Sequence, residues 1–356
     1  MTRAWIEIDL DAIVRNAMVI AARAQAILPM VKADAYGVGA VPVARALERL
    51  SPWGYGVATI EEARELRRAG IARPIVLFTP VVVEDLRAVR DARVTPALSS
   101  AESIAAWTAL GGGPWHLAID TGMSRAGVRW DQAGALVGVV SACAPEGAFT
   151  HFHSASLDDG TIAEQEARFE RALAALPARP AVLHAENSAA IARRTRSSWS
   201  VARPGIFLYG VGSGAGAAVQ PEPVVSLCAR VVELRIVRAG ETVSYDAAYR
   251  ADSDRVIATL PVGYADGYRR ALGNRAHALV AGGLRAPVVG VVTMDMTMID
   301  VTELPVAIGD VATLIGSEGS ERLGIETLAA QAGASPYELL TALRARLPRR
   351  YRGGEG

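Results

Sequence analysis

A chain of 356 residues can bury one large core or two moderate ones, and its 37 Lys plus Arg are balanced by 37 Asp plus Glu. Zero net charge leaves no field to hold nucleic acid or an anionic membrane surface, so the expected partner is a small, locally recognised molecule. Two cysteines, Cys143 and Cys228, are too few for a disulfide framework and fit a reducing compartment. The opening MTRAWIEIDLDAI alternates apolar and acidic residues, with neither the apolar run of a secretory signal nor the length of a membrane span. The chain reads as soluble and cytoplasmic.

After this opening strand, DLDAIVRNAMVIAARAQA carries apolar residues at helical spacing. Short apolar runs then follow as strands: ILPMVKAD, WGYGVAT, PIVLFTP, RVTPALS, WHLAID, GAFTHF, AVLHAE and WSVARPGI. Most lead into a helical segment such as EEARELRRAG or IAEQEARFERALAAL. Apolar strands separated by amphipathic helices make a parallel sheet covered on its outside, and eight in series predict an α/β fold, a (β/α)8 TIM-like barrel over residues 1–235 whose N-terminal strand is expected to pack on the second domain. Residues 236–356 read as a mostly β domain, because VVSLCARVVELRIVRAGETVSYDAAY, DRVIATLPVGYA, HALVAGGLRAPVVGVVTMDMTMIDV and DVATLIG are joined by glycine turns rather than helices. Helices near GIETLAAQAG and SPYELLTALRARL close the chain, GVGSGAGAAVQPEPV is the expected boundary loop, and the RGGEG tail reads as disordered.

In such a barrel the working groups sit on the loops after the strands. Lys32 closes the first barrel strand; an isolated lysine there snorkels at the rim, whereas a buried one sheds its proton and becomes a nucleophile toward a carbonyl. Arg125, in DTGMSRAG after the fifth strand, suits a carboxylate or a phenolate. His151 and His153 flank Phe152 after the sixth. With no Cys or carboxylate at ligand spacing they are not read as a metal site, and packing against a flat cofactor explains one of them better. Ser188 opens a helix after the seventh strand, and Gly205 and Ile206 follow Arg203 after the eighth, where barrels commonly bind phosphate. Tyr245 in VSYDAAY and Met294 in GVVTMDMTMID lie in the second domain, where either residue taken singly is structural.

The segments RAWIEIDLDAI, VKADAYG, DTGMSRAG, THF, HAENSAA, RPGI, VSYDAAY, PVGYADGY, VVTMDM and RARLPRRY resemble, in this order, the motifs of the alanine racemases. The resemblance implies a pyridoxal 5′-phosphate enzyme of fold type III that interconverts L- and D-alanine by two-base proton transfer and supplies D-alanine for cell-wall peptidoglycan. It implies that Lys32 holds the cofactor covalently and takes the α-proton of the D form. Tyr245, supplied by the other subunit of a homodimer, would take that of the L form. Tyr36, Ser188, Gly205 and Ile206 would surround the cofactor phosphate, His151 would pack on its ring and Arg203 would face its pyridine nitrogen. Arg125 would contact the phenolic oxygen and the substrate carboxylate, which the backbone N–H of Met294 would hold from the other subunit.

The chain departs from the family at several positions. Ala118 stands where many members have a carbamylated lysine bracing the arginine, and Ala345 replaces a tyrosine that some members bring to the phosphate. Asp34 and Val38 replace the more usual Asn and His, and Val291 replaces an entrance arginine. An apolar Val291 admits a larger side chain, so the alternatives are a racemase of serine or of a broader amino-acid range, or a decarboxylase of the same fold type. The tyrosine in VSYDAAY favours racemisation, and the β domain argues against a noncatalytic pyridoxal phosphate carrier, which resembles the barrel alone.

Overall fold

The structure is a computed structural model that describes residues 2–214 and 216–354. Within those residues the expected barrel strands are all present and almost wholly buried: Ala26–Ile27, Tyr55–Val57, Ile75–Leu77, Thr95–Leu98, His116–Asp120, Gly147–Phe149, Val182–His184 and Val201–Ala202. Parallel pairing runs unbroken from the second of these to the seventh. Ala26–Ile27 pairs with Val201–Ala202, a parallel bridge from Met30 to Gly56 joins the first strand to the second, and one from Asn187 to Arg203 joins the seventh to the eighth. The ladder therefore returns on itself, which leaves the apolar strands no exposed edge. One further parallel pair, Val128–Arg129 on His116–Asp120, was not expected from the sequence.

The helices begin where polar caps place them. Asp9 accepts from the Ala12 N–H at 2.8 Å and starts Leu10–Ala21; Thr59 and Glu62 form a capping box at the head of Ile60–Arg68.

The second domain is built on a twisted sheet in the order Leu284–Pro287, His277–Val280, Val311–Glu318, Val225–Arg230, Ala4–Asp9 and Arg349–Arg352. The division expected at residue 235 therefore moves toward the N-terminus. Val225–Arg230 pairs with Ala4–Asp9 and Val311–Glu318, because a barrel already closed has no edge to offer it. A second sheet of Glu233–Val237, Arg255–Leu260 and Thr297–Asp300 stands beside a small hairpin, Thr242–Val243 with Tyr249–Arg250.

Two expectations near the C-terminus are corrected. SPYELLTALRARL is helical only over Pro336–Ala342, since Leu343 is extended and the Arg344 N–H donates to the Asp266 carbonyl instead. The RGGEG tail is ordered as far as Gly354, whose N–H donates to Asp11; Glu355 and Gly356 lie outside the described residues, as does Ala215 in the boundary loop.

Candidate active site

At the carboxyl ends of the barrel strands lies a cavity of about 730 Å³, within the size range of cofactor and ligand sites. Lys32 enters it from the end of the first strand. The next four residues, Ala33, Asp34, Ala35 and Tyr36, all have φ between +51° and +57°, and Gly37 follows at +88°. A left-handed turn of non-glycine residues costs about 1–2 kcal/mol per residue, so it persists only where surrounding contacts hold it. One is the Ala33 N–H donating to Glu62 at 2.7 Å, the same carboxylate that completes the capping box of Ile60–Arg68. Burial holds the Lys32 amine below its ordinary proton affinity; Arg125 and Arg203 add to this and Glu62 opposes it.

At one end of the cavity, Tyr36 stacks on Tyr209 with ring centroids 4.8 Å apart and faces Gly205, Ser188 and Ile206. Any Cβ on residue 205 would collide with the Tyr36 hydroxyl, so the close approach requires glycine. Ser188 Oγ accepts the N–H groups of Gly205 at 2.8 Å and Phe207 at 3.3 Å. The Gly205 N–H, expected to approach a phosphate directly, is thus taken up by Ser188.

The floor is a buried Arg203. Its terminal nitrogens donate to the carbonyls of Thr150, His184 and Ala185 and to His184 Nδ1, leaving Nε as the donor these contacts do not use. Burial, opposed by Glu186 and reinforced by Arg125, pushes its proton affinity down to about 9. His184 stacks on Phe149, 5.0 Å away, and reaches His116 Nδ1 at 2.8 Å. His151 lines the cavity, with burial and then Arg203, Arg125 and Lys32 pushing its pKa down to about 3. His153 does not share the site; it is exposed and meets Ser154 Oγ at 2.6 Å. Arg125 also lines the cavity, on a turn organised by the Asp120 carboxylate, which accepts the N–H groups of Gly122 and Ser124.

The structure separates two expected site residues from the rest. Tyr245 is 69% exposed and Met294 53% exposed, and neither lines the cavity within one chain. Tyr245 sits at the tip of the hairpin, where Ser244, Asp246 and Ala247 all have positive φ and Ser244 Oγ donates to the carbonyl of Val291. Val291 therefore supports the Tyr245 loop rather than lining the single-chain cavity. Ala118 lies against Ala97, Phe78 and Phe149 as an apolar pouch, and Ala345 is exposed. Tyr337 and Thr341, which sequence reasoning missed, enter the cavity from Pro336–Ala342, with the Tyr337 ring 6.0 Å from that of Tyr36. Their four-residue spacing put them on one helix face, but nothing in the sequence said that this face meets the barrel mouth.

Comparison with known proteins agrees with this geometry. The profile of the alanine racemase N-terminal domain matches residues 8–213, and that of the alanine racemase C-terminal domain matches residues 224–351. The alanine racemase of Symbiobacterium thermophilum is 39% identical over 378 aligned positions, covering 100% of this chain and 98% of that protein. The crystal structure of alanine racemase from E. faecalis superposes with a TM-score of 0.93 at 30% identity, over 99% of this chain and 98% of that one. That of alanine racemase from Bartonella henselae with covalently bound pyridoxal phosphate does so with a TM-score of 0.91 at 29% identity, over 99% and 100%. With both halves matched by its domain profiles and its full length matched by its members, the chain belongs to the alanine racemase family.

Proposed function

We propose that this chain racemises alanine using pyridoxal 5′-phosphate carried on Lys32. The observation behind this reading is the convergence of Lys32, Arg125, His151, Arg203 and the cluster of Tyr36, Ser188, Gly205 and Ile206 on one cavity. The residues present fit the cofactor. An amine of lowered proton affinity suits its aldehyde, the close approach at Gly205 beside two hydroxyls suits its phosphate, an uncharged imidazole suits its ring face, and the unused Nε of Arg203 suits a ring nitrogen. Bound there, pyridoxal phosphate supplies the electron sink that acidifies the substrate α-carbon.

The remaining work falls to the protein. Lys32 accepts and returns the α-proton on the D side, helped by burial that favours its neutral form. Arg203 remains protonated at neutral pH and only donates, so it holds the ring nitrogen without readily giving up its proton. Arg125 holds the substrate carboxylate. Two bases on opposite faces avoid any need to turn the substrate over.

The second base in this reading is Tyr245 of another copy, whose Met294 holds the carboxylate through its N–H. Exposed Tyr245, Tyr264, Met294 and Met296 in the second domain support a homodimer with shared sites. The barrel thus binds cofactor and the β domain completes the neighbour's site. We further propose a cytoplasmic enzyme supplying D-alanine for peptidoglycan; no helix among the described residues is long and apolar enough to cross a membrane.

Borohydride reduction of the loaded protein, followed by peptide mapping and a chiral assay with L-alanine, tests the reading. Label on Lys32 and formation of D-alanine are expected. Label on another residue, or no racemisation, overturns it.

A further inference from the structure

We infer that Arg349, on the last strand of the second domain, is a positioning residue for Lys32 and acts through the left-handed turn that follows it. This rests on the reading of Lys32 as the cofactor-bearing residue. The turn is gripped at both ends. Near Lys32, the Ala33 N–H is held by Glu62 of the barrel. At the far end, Arg349 Nε and Nη2 both donate to the Gly37 carbonyl, at 3.0 and 2.7 Å, and Nη2 lies 3.2 Å from Asp34 Oδ2. The other carboxylate oxygen of Asp34 accepts the Ala40 N–H at 2.8 Å, tying the turn to the next helix. Tyr351, two residues along the strand and therefore on the same face, donates its hydroxyl to the Val38 carbonyl at 2.9 Å.

Glycines make room for this grip. A Cβ on Gly37 would stand 2.5 Å from the Leu340 carbonyl oxygen, and one on Gly39 would collide with the Tyr351 hydroxyl. Residues 34–40 are therefore held from the second domain by a planar cation that satisfies one carbonyl twice and one carboxylate once. Without Arg349 the far end of a strained turn loses its strongest contact, and the backbone leading back to Lys32 is free to relax toward ordinary φ. Arg350, the next residue, provides an internal control. It faces the other side of the strand, with its guanidinium 4.1 Å from the centre of the Trp5 ring, and contributes to the same strand without touching the turn.

The test compares Arg349→Met, Arg349→Lys and Arg350→Met as apoproteins of the full chain. Attachment of pyridoxal phosphate to Lys32 is followed by absorbance, and amide hydrogen exchange is followed across residues 33–40. Arg349→Met is expected to slow attachment about tenfold, as a displaced reacting group does, and to speed exchange at Gly39 and Ala40. Arg349→Lys should recover part of both effects, and Arg350→Met should lower thermal stability while changing neither. If Arg349→Met does not fold, Arg349→Gln serves instead, since its amide can donate only once to the Gly37 carbonyl and carries no charge toward Asp34. Attachment at the wild-type rate in Arg349→Met, or equal slowing in Arg350→Met, overturns the inference. A wild-type apoprotein that takes up no pyridoxal phosphate overturns the cofactor reading, and exchange at Gly39 and Ala40 still decides whether Arg349 holds the turn.

Discussion

Arg203 can only donate, so the His184 nitrogen it meets, Nδ1, must accept; the proton on His184 is then on Nε2 and is given to His116 Nδ1. Burial holds both imidazoles in their neutral forms, which makes this direction of donation a fixed property of the barrel floor. Replacing His184 by Phe keeps a ring against Phe149 but removes an acceptor from a buried cation. Destabilisation of about 1–3 kcal/mol is expected in urea unfolding, and unchanged stability would mean that the three carbonyls alone satisfy Arg203. His151 gives a pH dependence whose sign follows from its shift. Its folded pKa of about 3 lies below the ordinary 6.5, so between these values the unfolded chain binds a proton that the folded one refuses. Stability contributed by neutral His151 is complete above about pH 6.5 and is lost as pH falls toward 3. His151→Gln should flatten the urea midpoint against pH in that window; an identical slope in wild type and variant would assign the acid sensitivity to other groups.

Among elements, the turn over residues 33–37 concentrates the most unfavourable backbone beside the most reactive side chain. Gly37 combines a φ of +88° with a missing Cβ that would otherwise press on Leu340. Gly37→Ala is therefore expected to cost more than about 1 kcal/mol, since its native φ is incompatible with a side chain, and a thermal melt measures it. A melt at the wild-type temperature would show that the turn rearranges at little cost. Barrel strands and capped helices were legible because each depends on neighbours in sequence: apolar runs for the strands, and Asp9 or the Thr59–Glu62 pair for helix starts. The left-handed turn was not legible, because Ala33, Ala35 and Tyr36 have no local preference for positive φ, Asp34 alone favours it only as a single residue, and the run is held there by Glu62, Arg349 and Tyr351.

For the molecule as a whole, the proposed sharing of sites makes a quantitative prediction. Lys32→Ala and Tyr245→Phe should each be nearly inactive, yet subunit exchange between them places intact Lys32 and intact Tyr245 in one of the two sites of each mixed dimer. With half of the dimers mixed, about a quarter of wild-type activity should return. No recovery after verified exchange would place both bases in one chain. In Tyr245→Phe alone, solvent deuterium should enter D-alanine better than L-alanine, because Lys32 serves one face; equal loss on both faces would make Tyr245 a positioning group.

By itself the sequence determined the alternation that builds the barrel, the glycine-turn grammar of the β domain, and the order of motifs that carries Lys32, Arg125, Ser188 and Arg203 to strand ends. These follow from short-range patterning, which any chain of this sequence must express wherever its apolar faces are buried. Only the tertiary structure decided that Val225–Arg230 pairs between Ala4–Asp9 and Val311–Glu318 rather than in the barrel, and that Tyr337 and Thr341 enter the cavity. It also joined Arg349 to the turn beside Lys32. Each of these is a meeting of surfaces distant in sequence, settled by barrel closure, by the space left at glycines and by where an arginine fork finds its acceptors, none of which is written in the spacing of neighbouring residues.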